Sequence, residues 1–132
     1  MKIEHLGIAV KNLEESNLLF ASLLGSSPYK TEEVSGEKVV TSFFKTGESK
    51  VELLQALSPD SPIARFIEKK GEGIHHIAFE VADIYATMEE LKKKGFTLLS
   101  EEPKPGADNK LICFVHPKSA NGVLVEICQE KK

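Results

Sequence analysis

The stretch HLGIAVKNL, His5 to Leu13, returns 71 positions later as HIAFEVADI, His76 to Ile84. Val10 then meets Val81, Asn12 meets Asp83 and Leu13 meets Ile84. Further on, KVELLQ around Glu52 matches LVEICQ around Glu126, with the offset now 74. The extra residues fall in the polar, glycine-containing turn Lys118 to Gly122, which replaces the shorter Gly47-Glu48-Ser49. Insertions are tolerated in turns, so the two matches belong to one internal duplication.

Each copy reads as a strand, a helix and then three strands, which makes the fold class α+β with tandem βαβββ modules. Ile3 to Val10 and Ile74 to Val81 alternate as half-buried strands do. Asn12 and Asp83 suit helix N-caps, and Glu14 and Glu15 suit the positive N-terminal end of a helix. Leu13, Phe20 and Leu24 form one apolar stripe, and Ile84, Met88 and Leu91 form another. The helices end at Gly25 and Gly95, the second after the solvated run Lys92 to Lys94. Apolar runs at Val39 to Phe44, Val51 to Leu57, Leu111 to Val115 and Val123 to Cys128 supply later strands. Ser61-Pro62 opens a short connecting helix that closes at Gly71. We therefore expect a single domain over residues 1–132. Module one covers about 1–57, the connecting helix 58–73 and module two about 74–132. Neither module alone is large enough to bury its sheet well.

The whole chain has 132 residues, 41% hydrophobic and 28% charged, as ordinary globular proteins do. A net charge of -3 gives no reason to expect nucleic acid or an anionic membrane as partner. Charges at Lys2 and Glu4 interrupt the N-terminal apolar residues, and no apolar run approaches the roughly 20 residues of a membrane span. Cys113 and Cys128 lie in apolar runs without CxxC spacing and read as buried reduced thiols, which points to the cytoplasm.

Glu52 and Glu126 stand in strands with apolar neighbours, a poor setting for a carboxylate without a partner. His5 and His76 open the first strand of each copy. A lone histidine in an apolar strand is more often a packing residue, and duplication copies packing residues too. Four such residues at repeated positions are explained together if the sheets curve into a cup and His5, Glu52, His76 and Glu126 all face one divalent metal. Adjacent strand residues face opposite ways, so only one of His75 and His76 can serve, and the repeat chooses His76. His116, beside Pro117 and without a counterpart, reads as exposed.

With these elements in place, the chain resembles the vicinal oxygen chelate superfamily through HLGIAV, VELL, HHIAFEV and VLVEI. Within it, Asp60 to Val81, Ser100 to Gly106 and Phe114 to Ile127 resemble the methylmalonyl-CoA epimerases. The HPKS…GVLVE element is the most specific part, because glyoxalases more often carry a DPDG-like turn there. The resemblance covers essentially the whole chain. It implies a curved mixed sheet around a metal held by His5, Glu52, His76 and Glu126. It further implies epimerisation of methylmalonyl-CoA by proton abstraction through a metal-stabilised enolate, with Glu126 doubling as the base. An acyl-CoA substrate, a homodimer and a cytoplasmic enzyme follow from it. Two histidines and two glutamates suit cobalt, nickel, zinc or manganese. Some epimerases have glutamine at the position of Glu52, and the present set is also that of bacterial glyoxalase I (lactoylglutathione lyase), the alternative activity. A second carboxylate offered by some epimerases aligns with Thr41, which Glu37 and Glu48 do not match. Lys104, Lys110 and Lys118 lie near turns where coenzyme A phosphates would sit, although solvated surface lysine is the simpler reading of each.

Overall fold

The computed structural model describes residues 1–131. The first module runs β1 (Lys2–Ala9), α1 (Leu13–Leu24), β2 (Lys30–Val34), β3 (Val39–Thr46) and β4 (Ser49–Ala56). After α2 (Pro62–Lys70) the second module repeats the order as β5 (Gly73–Glu80), α3 (Ile84–Lys93), β6 (Lys104–Gly106), β7 (Lys110–Val115) and β8 (Val125–Glu130). The α+β class and the two βαβββ modules are as the duplication implies. The chain forms two compact units, one of His5–His75 and one of residues 1–4 with the chain from His76 onward. The division therefore runs through β1 and β5, and α2 belongs with the first unit. Ile63, Phe66 and Ile67 of α2 explain that membership, since they pack with Ala9, Val39 and Leu54.

Both units use the same pairing. In the first, β4 pairs antiparallel with β3 and parallel with β1, while β2 pairs antiparallel with β3. In the second, β8 pairs antiparallel with β7 and parallel with β5, while β6 pairs antiparallel with β7. Parallel neighbours cannot be joined by a tight turn, so each module spends a helix on the crossover. The β3–β4 hairpin turns on Gly47 and Glu48. Gly47 has φ 66, the positive value a two-residue turn needs at its first position and glycine adopts without strain.

Local chemistry sets the helices as expected. The Asn12 carboxamide oxygen accepts from the Glu15 N–H at 3.0 Å, and the Asp83 carboxylate accepts from the Ala86 N–H at 3.1 Å. A second tie sits one residue further along each helix. The Gln55 side chain accepts from the Leu13 N–H at 2.6 Å, and Gln129 accepts from the Ile84 N–H at 2.7 Å. Both glutamines follow a candidate ligand by three positions, so the duplicated ExxQ fastens the first turn of each helix to the last strand of its own module. α1 lays Leu13, Phe20 and Leu24 against Leu53 and Phe44, and α3 lays Ile84, Met88 and Leu91 against Cys113, Val115 and Ile127. One face of each sheet is thereby covered by its helix. Among the described residues no helix is long and apolar enough to cross a membrane.

Cys113 and Cys128 are free and wholly buried. Cys113 pairs in register with Ile127 and Cys128 with Ile112, so the two thiols point to opposite faces of their sheet. Burial, with the Glu126 charge adding to it, pushes the Cys113 thiol up to about 11 and Cys128 higher still. The thiolate is the reactive form, so neither cysteine reacts rapidly with a thiol reagent at pH 8 in the native protein, and both react on unfolding. Stoichiometric labelling of the folded chain within seconds would contradict this. The sign of the pH effect follows. Where the unfolded thiols ionise and the folded ones do not, stability falls, beginning near pH 9 and continuing through the folded value.

Candidate metal-binding site

Register assigns the face of the first sheet opposite α1. Gly7 and Phe43 flank Glu52, and His5 lies level with Lys50 beside it. His5 and Glu52 are each 4% exposed, and His5 Nδ1 lies 3.1 Å from Glu52 Oε2. Val51 and Leu53 point to the opposite side, where α1 covers them. Phe43 stands next to the carboxylate with Tyr29 tilted against it, ring centroids 5.9 Å apart. Lys30 Nζ lies 5.4 Å from the centre of the Phe43 ring and 3.1 Å from the Glu32 carboxylate.

The second sheet repeats this arrangement. Ala78 and Phe114 flank Glu126. His76 and Glu126 are each 5% exposed, with His76 Nε2 3.4 Å from Glu126 Oε1. The His76 ring meets Phe114 edge-on at 6.0 Å, and Lys104 Nζ lies 5.9 Å from the centre of the Phe114 ring. A small residue, Gly7 or Ala78, borders each carboxylate on one side and a phenylalanine on the other. The small side leaves the carboxylate uncovered by its own sheet, while the phenylalanine removes water from the other flank.

Each unit thus brings together the histidine and glutamate expected of it. An imidazole nitrogen and a carboxylate oxygen, buried side by side, are donors that divalent transition ions accept. The burial also fits such an ion, because a carboxylate only 4–5% exposed and flanked by a phenylalanine is expensive without positive charge beside it. His5 with Glu52 and His76 with Glu126 are therefore candidate metal-binding groups.

His75 is built differently. Its ring sits edge-on to Phe66 of α2, with centroids 4.9 Å apart. Burial holds its imidazole below the usual range, the Lys70 charge adds to this, and Glu37 opposes it. This packing accounts for a second histidine beside His76. His116 departs from the expectation of simple exposure. It is half-buried, and its Nδ1 accepts from the Lys118 N–H at 3.0 Å, capping the 3-10 turn Pro117–Ser119. Lys110 departs further, being only 6% exposed where a solvated lysine was expected. Its place at the start of β7, level with Glu130 and Gly106, sets it within the sheet rather than in the turn.

Several residues of the site had not been singled out from the chain. Phe43 and Phe114 are separated by the same 71 positions as the histidines, so the repeat alignment marks them once their neighbours are known. Glu4, 4% exposed on β1, carries no such signal, because the matching position in the second copy is His75.

Comparison with known proteins bears on the whole chain. The glyoxalase/bleomycin resistance protein/dioxygenase superfamily matches residues 4–114. The mitochondrial methylmalonyl-CoA epimerase of Homo sapiens is 42% identical over 97% of this chain and 73% of its own length. The ethylmalonyl-CoA/methylmalonyl-CoA epimerase of Cereibacter sphaeroides is 41% identical over 97% of both chains. Among solved structures, a Streptomyces coelicolor methylmalonyl-CoA epimerase variant in complex with 2-nitronate-propionyl-CoA superposes with a TM-score of 0.93. It is 31% identical, over 100% of this chain and 99% of that one.

Proposed function

This chain belongs to the glyoxalase/bleomycin resistance protein/dioxygenase superfamily, and from that premise we propose that it is a metal-dependent epimerase of methylmalonyl-CoA. The observation that carries the proposal is the duplicated buried pair, His5 with Glu52 and His76 with Glu126, in a chain that matches, over nearly all its residues, relatives that bear that activity in their names. The four residues would together hold one divalent cobalt, nickel, zinc or manganese ion. Bound there, the cation would polarise the thioester carbonyl and offset the charge that proton loss places on its oxygen.

The remaining work falls to the chain's own side chains. The stereocentre lies between a thioester and a carboxylate, so its C–H proton is the one to be moved. The Glu126 carboxylate takes this proton and becomes a carboxylic acid, while the electron pair of the C–H bond spreads toward the thioester oxygen. A solvent-derived proton delivered to the opposite face of the flattened carbon completes the inversion, and Glu126 gives up the proton it took to solvent, which restores its carboxylate. His5, Glu52 and His76 would serve only as ligands of the ion. Phe43 and Phe114 limit water beside the two carboxylates, which protects the intermediate from random reprotonation.

We place the enzyme in the cytoplasm, as its two free thiols suggest, and as a homodimer. The leucines Leu18, Leu19 and Leu23, each largely exposed on α1, offer apolar surface for a second copy. Sedimentation of the purified protein reads the assembly directly.

The activity is tested by incubating the cobalt-loaded protein with one stereoisomer of methylmalonyl-CoA in deuterated buffer. The expected result is interconversion of the isomers with deuterium entering at the stereocentre. No exchange above the protein-free rate, with consumption of the methylglyoxal–glutathione adduct instead, would replace this reading with glyoxalase I.

A further inference from the structure

Thr41 of β3 is wholly buried, and its hydroxyl has no hydrogen-bond partner among the described residues. A buried hydroxyl left unpaired costs stability, so native chains rarely keep one without a use. The fold does not require a hydroxyl here. The equivalent residue of the second module is Ile112, level with Cys128 as Thr41 is level with Leu54. Ile112 packs in an apolar cluster with Ala78 and Cys128. Valine would supply the shape of threonine without the polar atom.

The register states what the hydroxyl is near. Phe43 pairs with Glu52 and Thr41 with Leu54, so Thr41 is the diagonal neighbour of Glu52 on the face opposite α1, beside the end of that face that α2 covers. Such neighbours stand about 7–8 Å apart, with their Cβ atoms somewhat closer, so one small group accepting from the hydroxyl would also lie against the Glu52 side chain. Beyond Thr41 begins the apolar cluster of Val39, Leu54 and Ile63. The hydroxyl thus marks the boundary between the His5–Glu52 pair and an apolar floor. A short branched acid with a methyl on one side and oxygens on the other matches that boundary.

We infer that the Thr41 hydroxyl donates a hydrogen bond to the carboxylate of a carboxyacyl thioester seated beside the His5–Glu52 pair. It thereby selects malonyl-type thioesters over plain acyl ones. The inference rests on the acyl-CoA reading above and deepens it. Thr41 is a specificity residue, and it moves no proton of the reaction. A hydroxyl is suited to this because it donates strongly to an anionic oxygen and adds no charge of its own to repel it.

The test compares wild type, Thr41→Val and Thr41→Ser, each metal-loaded, in calorimetric titrations with malonyl-CoA and propionyl-CoA. Wild type is expected to bind malonyl-CoA more tightly. Thr41→Val should lose ~10-fold or more of that affinity while its affinity for propionyl-CoA stays put, and Thr41→Ser should recover most of the loss. Thr41→Ala serves as a second hydroxyl-free variant if Thr41→Val does not fold. The inference is overturned if the hydroxyl-free variant binds malonyl-CoA as wild type does, or if wild type does not distinguish the two thioesters. Because binding is the readout, a wild type that discriminates between them through Thr41 yet fails to epimerise methylmalonyl-CoA would overturn the proposed activity and leave this inference standing.

Discussion

At saturating metal, Glu126→Gln turns over methylmalonyl-CoA at least ~10²-fold more slowly than wild type, while its metal affinity falls only modestly. The substitution keeps the size of the side chain and one oxygen donor, so coordination survives in weakened form. It removes the basic carboxylate, and an amide does not accept a proton from carbon. Glu52→Gln, the equivalent change in the other module, should cost less, since its glutamate is assigned to holding the ion alone. The pair of variants therefore separates ligation from proton transfer. Rates must be read over a metal titration, because weak binding at a single concentration would imitate lost chemistry. Near-normal turnover by metal-loaded Glu126→Gln would make Glu126 a ligand only and move the base elsewhere.

His76→Ala abolishes stoichiometric metal binding, whereas His75→Ala leaves it largely intact. The contrast follows from where the two rings lie. His76 touches the Glu126 carboxylate at 3.4 Å, and its removal leaves a 5%-exposed carboxylate without its neighbour. His75 sits edge-on to Phe66, so its loss opens space against α2 and lowers the melting temperature rather than the metal content. Metal content after exhaustive dialysis, measured by elemental analysis, decides the matter. Equal loss in both variants would remove the basis for choosing His76.

Much of the fold and of the pairing of each histidine with its glutamate is legible in the sequence, and the reason is duplication. His5 and Glu52 separately look like ordinary strand residues. Their recurrence as His76 and Glu126 singles them out, and each pair does meet within its unit. The helix caps were equally plain, because Asn12 and Asp83 act through their own neighbours in the chain. What could not be located was the outermost strand of each module. β2 is the polar KTEEV, and β6 is only three residues long. Each has a single strand partner in its own module, so neither carries the alternation that marks a half-buried strand. Phe43 was hidden for a related reason, and Thr41 was marked only through the family resemblance. Which face a strand residue takes relative to Glu52 depends on register, and register is a long-range property. Lys110 misled because lysine is read by type as a surface residue, while its exposure is decided by its place on β7.

The parallel pairing of each module's first and last strands also governs when the candidate donors meet. β3 and β4 are joined by a two-residue turn and can associate almost as soon as both exist, as local hairpins do within microseconds. β1 finds β4 only after the entire intervening module has been gathered, and β5 finds β8 under the same constraint. Contacts so distant along the chain carry the largest closure entropy and form late on the folding path. His5 and Glu52 sit on two such strands, and so do His76 and Glu126. The imidazole–carboxylate pairs are therefore assembled by the closing steps of folding and are the first to come apart if a first strand peels away, so chelating competence reports whether a newly made chain has finished folding.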